Sequence, residues 1–258
     1  MSTSTTKEGR LASSDIDADV VAEGVRILAV ARDQDLPLRL LGGVAVRLRA
    51  RNGLPPALER TYGDLDFVTA RRASGPAQKL FRSLGYAPHV SFNALNSKER
   101  LLFFDEDHGR QVDVFVGAFR MCHEIPLEGR LELDETSIPL AELLLTKLQV
   151  IELNEKDVRD AVAVLHGREL GDEDGDTVNA GRIAQLCSED WGLWRTITRN
   201  LEACRKQAGA YGEDLAGVAT RFSELEERIE AAPKSRAWRM RAKIGERRRW
   251  YDLPEERA

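Results

Sequence analysis

Residues 100–117, RLLFFDEDHGRQVDVFVG, leave little choice of local structure. Two apolar, β-branched runs flank an Asp- and Gly-containing stretch at 105–109, the pattern of two strands joined by a turn. A hairpin cannot bury its own faces, so neighbouring segments must cover it. Upstream, DIDADVVAEGVRILAVARDQ (15–34) places Ile16, Val20, Val21, Val25 and Leu28 at helical spacing behind an Asp-rich start. LPLRLLGG then reads as a short strand running into Gly42-Gly43, and VAVRLRA as a helix starting immediately afterward. RNGLPPALER is a loop, GDLDFVT a strand, and GPAQKLFRSLGY a helix stopping near Gly85. Helices alternating with strands around a hairpin predict an α/β (α+β) domain on a small mixed β-sheet.

After Gly129 the pattern changes to helices. IPLAELLLTKLQVIELNEKDVRDAVAVLHG (138–167) reads as one or two helices, with Pro139 favourable near the start. GDEDGDT is an acidic loop without the spacing or terminal Glu of a calcium loop. The segments VNAGRIAQLCSEDWGLWRTITRNLEACRKQA and FSELEERIEAA, with the basic tail, supply further helices. The expected organisation is a disordered tail at 1–14, an α/β domain at 15–130, and a helical domain at 131–258 with a basic C-terminal segment. A chain of 258 residues, 42% hydrophobic, is long enough to bury a sizeable core in such an arrangement.

Several classes are disfavoured. Cys122, Cys187 and Cys204 are odd in number and form no CxxC pair, which favours a reducing compartment. The polar start MSTSTTKEGRLASSD has no apolar signal region, and no apolar run is long enough to span a bilayer. A soluble, cytoplasmic protein without a membrane partner is expected. His89, His108, His123 and His166 have no zinc-ligand spacing. The net charge of −5 conceals an asymmetry: residues 234–249 hold eight Lys or Arg against one Glu, a local +7. That segment mixes cations with Trp238, Trp250 and Tyr251, as RNA-binding surfaces do, although a helix packed through its tryptophans would look the same. Trp191 and Trp194 read as domain core.

The chemistry concentrates at Asp64 and Asp66. A strand puts residues i and i+2 on one face, so the two carboxylates are presented together while Leu65 and Phe67 point the other way. Like charges held close need solvent, a cation or protonation at neutral pH. Hard oxygens suit Mg²⁺, which keeps waters and binds substrate phosphates as well. Asp113, inside the second strand of the hairpin, becomes a third acid if that strand neighbours residues 63–69. Three carboxylates can hold two Mg²⁺ ions, with Asp113 the candidate to receive a hydroxyl proton. Gly42-Gly43, between strand and helix, allows close backbone approach to a phosphate at the helix start.

With these parts in view, LLGGVAV (40–46), RTYGDLDFV (60–68), VDVFVG (112–117) and TKLQVIELNEKDVRDAVAVL (146–165) resemble the nucleotidyltransferase superfamily, nearest its minimal and abortive-infection (AbiEii-like) branch. The resemblance covers roughly residues 38–167 and is specific as a set rather than piece by piece. It implies a nucleotidyltransferase-like domain followed by a helical domain. It also implies Mg²⁺-dependent transfer of a nucleoside monophosphate from an NTP to an acceptor hydroxyl, releasing pyrophosphate. Gly42 and Gly43 would contact nucleotide phosphates, and Asp64, Asp66 and Asp113 would bind metal. Lys147, Lys156, Asp157 and Asp160 would contact phosphate or support the site from the helical segment. The interval from Gly43 to Asp64 is longer than in the compact aminoglycoside-type members. The branch further implies a toxin with a cognate antitoxin, acting on tRNA or another RNA end, or on a protein.

Blander readings stand beside each assignment. Asp64 and Asp66 can be edge-strand charges, Asp113 a polar position on a half-exposed strand, and Gly42-Gly43 a tight turn. Lys147 can snorkel from an apolar helix, while Asp157 and Asp160 can pair with Lys156 or Arg159. Arg60 can contact phosphate, balance the aspartates, or lie on the surface. A non-catalytic RNA- or protein-binding scaffold and a small-molecule (antibiotic) nucleotidyltransferase remain the alternative functions.

Overall fold

The computed structural model describes residues 16–51, 53–212 and 215–253; the tail expected at 1–14 lies outside these. Helix α1 (Val20–Asp33) opens where the Asp19 carboxylate accepts hydrogen bonds from the Val21 and Ala22 amides, satisfying donors the helix itself leaves free. Strand β1 (Leu38–Leu41) runs straight into α2 (Gly42–Arg49), so the helix begins at the glycine pair and not after it. Then come β2 (Asp64–Thr69), α3 (Ser74–Ser83), β3 (Ala87–Pro88), α4 (Val90–Asn96), β4 (Arg100–Asp105) and β5 (Arg110–Val116). Strands β6 (Ala118–Arg120) and β7 (Glu124–Pro126) pair as a small hairpin. The short strands β3, β6 and β7 have no counterpart in the sequence reading, because two or three residues of strand carry no measurable period, and neither has α4, whose two turns are too short to show one.

β1 to β5 form a mixed five-stranded sheet in the order β1-β2-β5-β4-β3. Only β2 and β5 run parallel in it, and their register sets Asp66 beside Asp113 and Asp64 beside Gln111. Leu65 and Phe67 are fully buried on one face. There Phe81 of α3 stacks 5.6 Å from Phe67 and 4.9 Å from Phe103, and Gly24 of α1 lies against Leu65. The opposite face carries Asp64, Asp66 and Asp113.

The helices α5 (Leu140–Leu148) and α6 (Glu155–Leu165) are separate, divided by a loop whose Asn154 caps α6 through the Asp157 amide. Next are β8 (Leu170–Gly171), β9 (Val178–Asn179), α7 (Ala180–Glu189), α8 (Trp191–Ala208), α9 (Ala216–Ala231) and α10 (Arg236–Ala242). Helix α2 packs on both α5 and α6, and one continuous apolar cluster joins the sheet to the helices. Among the described residues no helix is long and apolar enough to cross a membrane. Cys122, Cys187 and Cys204 are buried free thiols.

The acidic GDEDGDT loop is tied down by arginines: Asp172 to Arg228 at 2.9 Å, Asp174 to Arg130 at 2.6 Å, and Asp176 to Arg168 at 3.1 Å. Arg130 and Arg228 come from distant segments and Arg168 from just before the loop, while Asp172 and Asp176 themselves stay exposed. In the C-terminal segment the tryptophans turn inward, Trp238 packing 5.1 Å from Trp194 and Trp250 6.0 Å from Trp191. Arg236, Arg239, Lys243, Arg247, Arg248 and Arg249 remain exposed.

Helix α5 is held from beneath by Glu142. Its fully buried carboxylate accepts from Arg130 at 2.8 Å and from Arg182 at 3.0 Å. Glu142→Ala leaves the Arg182 guanidinium without its carboxylate and Arg130 with Asp174 alone, and should cost about 3 kcal/mol in chemical unfolding. A loss under about 1 kcal/mol would show that this triad does not anchor α5.

Candidate functional site

The carboxylate face of β2 looks into a cleft of about 390 Å³ lined in part by Gly43, Arg60, Asp64, Asp66, Lys147, Lys156 and Asp157. Asp64 is exposed at its mouth and Asp66 is half-buried behind it. Burial, then the neighbouring charges of Asp64 and Asp113, push the Asp66 carboxyl up to about 7, although Lys147 and Arg100 pull the other way. The pair is thus a site of uncompensated negative charge.

Gly42 lies directly over this pair. Its φ is +71°, a backbone that side chains rarely adopt, and a Cβ there would run into the Asp66 carboxylate. A Cβ on Gly43 would strike the Arg60 guanidinium and come within 2.8 Å of Tyr62. No side chain caps the start of α2, so its first amides are left for another acceptor.

Across the cleft stands a cation clamp. Asp160 of α6 is 2% exposed, and its two oxygens accept from Arg60 Nε at 2.9 Å and Arg60 Nη2 at 2.7 Å. Lys147 Nζ meets the same carboxylate at 2.8 Å. Burial opposes ionisation of Asp160, yet the Arg60 and Lys147 bonds hold its carboxyl below the ordinary value. Burial likewise opposes the charge on Lys147, but Asp160, Asp157 and Asp66 together carry its ammonium above the usual range. Asp157, half-buried, is raised by burial, with Lys147 opposing. Lys156 is exposed at the rim.

Asp113 sits beside Asp66 but faces another partner. Arg100 Nε donates to its Oδ1 at 2.6 Å and Gln111 Nε2 to its Oδ2 at 2.7 Å. Among the described residues no three His, Cys, Asp or Glu side chains converge to hold a metal ion. The register sets Asp113 beside Asp66 on the same face, with both of its oxygens engaged by Arg100 and Gln111. The donors that remain open, Asp64 and Asp66, match the one or two carboxylates that Mg²⁺ takes alongside substrate phosphates. Arg100 and Gln111 were missed in the sequence. Gln111, two residues before Asp113 and therefore on its face of the strand, could have been read; Arg100 could not without the β4–β5 register.

No family model and no curated protein matches the chain. Among solved structures that resemble it is the solution structure of the antibiotic-resistance factor ANT(2'')-Ia, at 14% identity and a TM-score of 0.39, covering 56% of this chain and 81% of that chain. At that distance the site must be read from its own geometry.

Two outcomes follow from that geometry. Gly42→Ala should destabilise the fold by about 1–3 kcal/mol in urea unfolding, through both φ and the Asp66 contact; a neutral effect would show that α2 can retreat. For Asp66, the folded carboxyl titrates near 7 against an ordinary 3.8. Between these values the folded state keeps a proton that the unfolded chain releases, so stability from this group is full at acid pH and lost as pH rises through about 7. Asp66→Asn in chelator should match the parent at acid pH and exceed it above neutrality by about 1–2 kcal/mol, allowing for partial exposure. Parallel pH–stability curves would contradict the uncompensated pair.

Proposed function

We propose that the protein is a nucleotidyltransferase, moving a nucleoside monophosphate from an NTP to an acceptor hydroxyl with release of pyrophosphate. The observation that carries this reading is an uncompensated carboxylate pair, Asp64 and Asp66, set across one cleft from a Lys147–Asp160–Arg60 cation clamp. A magnesium nucleotide presents the complement, a divalent cation attached to a polyanion. Asp64 and Asp66 are the residues that would hold Mg²⁺, and the ion would supply neutralisation of phosphate charge when bound.

In this scheme Lys147 and Lys156 receive the β- and γ-phosphates, with the α2 amides at Gly42 and Gly43 free to donate to phosphate oxygens because neither residue has a Cβ to block the approach. Asp160 keeps Arg60 and Lys147 pointed at the cleft without neutralising both. The acceptor oxygen bonds to the α-phosphorus as the bond to the bridging oxygen breaks. Pyrophosphate leaves toward Lys147, and the hydroxyl proton passes to water at the open rim near Asp64. Asp113, paired with Arg100, is assigned to hold charge balance behind Asp66 rather than to ligate metal or accept the proton. Fixed charge placed ahead of the reaction is the main catalytic contribution available to such a site.

Titration calorimetry with ATP, CTP, GTP and UTP, each with and without Mg²⁺, tests the reading. Mg²⁺-dependent binding of at least one NTP is expected, lost by about tenfold or more in Asp64→Asn and Asp66→Asn. No Mg²⁺-dependent binding to any NTP sinks it. The finer reading of a toxin with an antitoxin, acting on tRNA or a protein, rests on the family resemblance. Growth arrest on expression, absent for Asp64→Asn, is its expected outcome, and harmless expression without any antitoxin counts against it. The exposed cations at 236–249 favour one rival, a non-catalytic RNA-binding protein, which would keep RNA affinity and show no nucleotide binding.

A further inference from the structure

A second cleft, of about 460 Å³, adjoins the first and shares Arg60, Thr61 and Gly63 with it as a common wall. Gly63 leads directly into Asp64, so a ligand seated in this second cleft lies next to the carboxylate pair, and neither Lys147 nor Lys156 lines its wall. The volume is that of a small-ligand site.

Its lining is cationic. Arg47, Arg60 and Arg110 contribute guanidiniums, and Asp19 is the one carboxylate among the described residues that line it. The Asp19 oxygen is committed to the first amides of α1. Arg47 stands one helical turn beyond Gly43 on α2 and pairs with no carboxylate among the described residues. Arg110 is 3% exposed; its Nη2 donates to the Asp17 and Ala18 carbonyls at 2.8 and 2.9 Å, and Asp105 stands 3.9 Å from its Nε. Its Nη1 is buried with no hydrogen-bond partner, an unspent donor beside the cleft. Tyr62 lies under the Arg60 guanidinium at 4.5 Å and lines the same wall.

We propose that this second cleft is a subsite for a phosphate ester carried by the acceptor, with Arg47 as its principal anion contact. The proposal rests on the nucleotidyl-transfer reading for the identity of the neighbouring cleft. An arginine without a carboxylate partner at a concave site, as Arg47 is, attracts phosphate and offers it a planar, forked set of donors. The same field repels a polycationic acceptor such as an aminoglycoside, for which an acidic lining would be needed. The acceptor hydroxyl is then delivered over Gly63 to the carboxylate pair, opposite the leaving pyrophosphate.

The test is calorimetric titration of the full chain with three probes: ribose 5-phosphate, a short single-stranded oligoribonucleotide and neomycin. Each is titrated alone and with Mg²⁺ and the NTP that binds. Binding of ribose 5-phosphate identifies a small phosphorylated acceptor, and binding of the oligonucleotide alone identifies a nucleic-acid end; both support the subsite. Arg47→Glu should weaken the phosphate-bearing probe by about tenfold or more while NTP affinity stays within about twofold. Should Arg47→Glu lower the melting temperature strongly, Arg47→Gln replaces it, with the same sign and a smaller effect. Unchanged affinity in the variant overturns the proposal. An equal loss of NTP affinity also overturns it, by giving the cleft to the donor, as does preferential binding of neomycin. Absence of NTP binding in the parent chain strikes the nucleotidyl-transfer reading instead, while the ribose phosphate and oligonucleotide arms still report on the cleft.

Discussion

One buried carboxylate organises the site. Asp160 receives Arg60 from the loop before β2 and Lys147 from α5, so three segments remote in sequence meet on two oxygens. Removing the carboxylate would strand two largely buried cations, with side-chain exposures of 14% and 12%. Breaking a pair of that kind typically costs about 3–5 kcal/mol, far more than a surface ion pair. The clamp also has a direction. Because one acid serves two bases, net positive charge is left over and faces the acidic strand.

The sheet supplies the complementary half. Parallel pairing of β2 with β5 brings Asp66 and Asp113 side by side, and two such carboxylates cannot both stay charged without help. The structure splits the problem. Asp113 is paired with Arg100 and hydrogen-bonded by Gln111, while Asp66 and Asp64 are left facing the cleft. That division leaves Asp64 and Asp66 as the strand carboxylates that line the cleft. Gly42 belongs to the same solution, since only a residue without a Cβ can start a helix against the Asp66 carboxylate.

Much of this was legible before any coordinates. The hairpin at 100–117, the strand GDLDFVT and the helices of the second half announce themselves by period and by turn residues, and they recur with small shifts of boundary. The pairing of Asp64 with Asp66 on one face follows from strand geometry alone. Asp160 was harder to weigh. Its spacing from Asp157 suggested a local pair with Lys156 or Arg159, whereas its partners lie elsewhere in the chain. The C-terminal tryptophans could be read as core or as a stacking platform, and packing on α8 turns them inward while the arginines stay out.

By itself the sequence determined which residues share a strand face, where helices start and stop, and which charges are present, because these follow from local periodicity and side-chain chemistry. Tertiary structure alone decided which charges compensate each other. Arg100 takes Asp113, Asp160 takes Arg60 and Lys147, and Arg47 is left without a carboxylate among the described residues. The reason is physical: an ion pair depends on distance and burial, and both are set by the β2–β5 register and by the docking of α5 and α6 on α2.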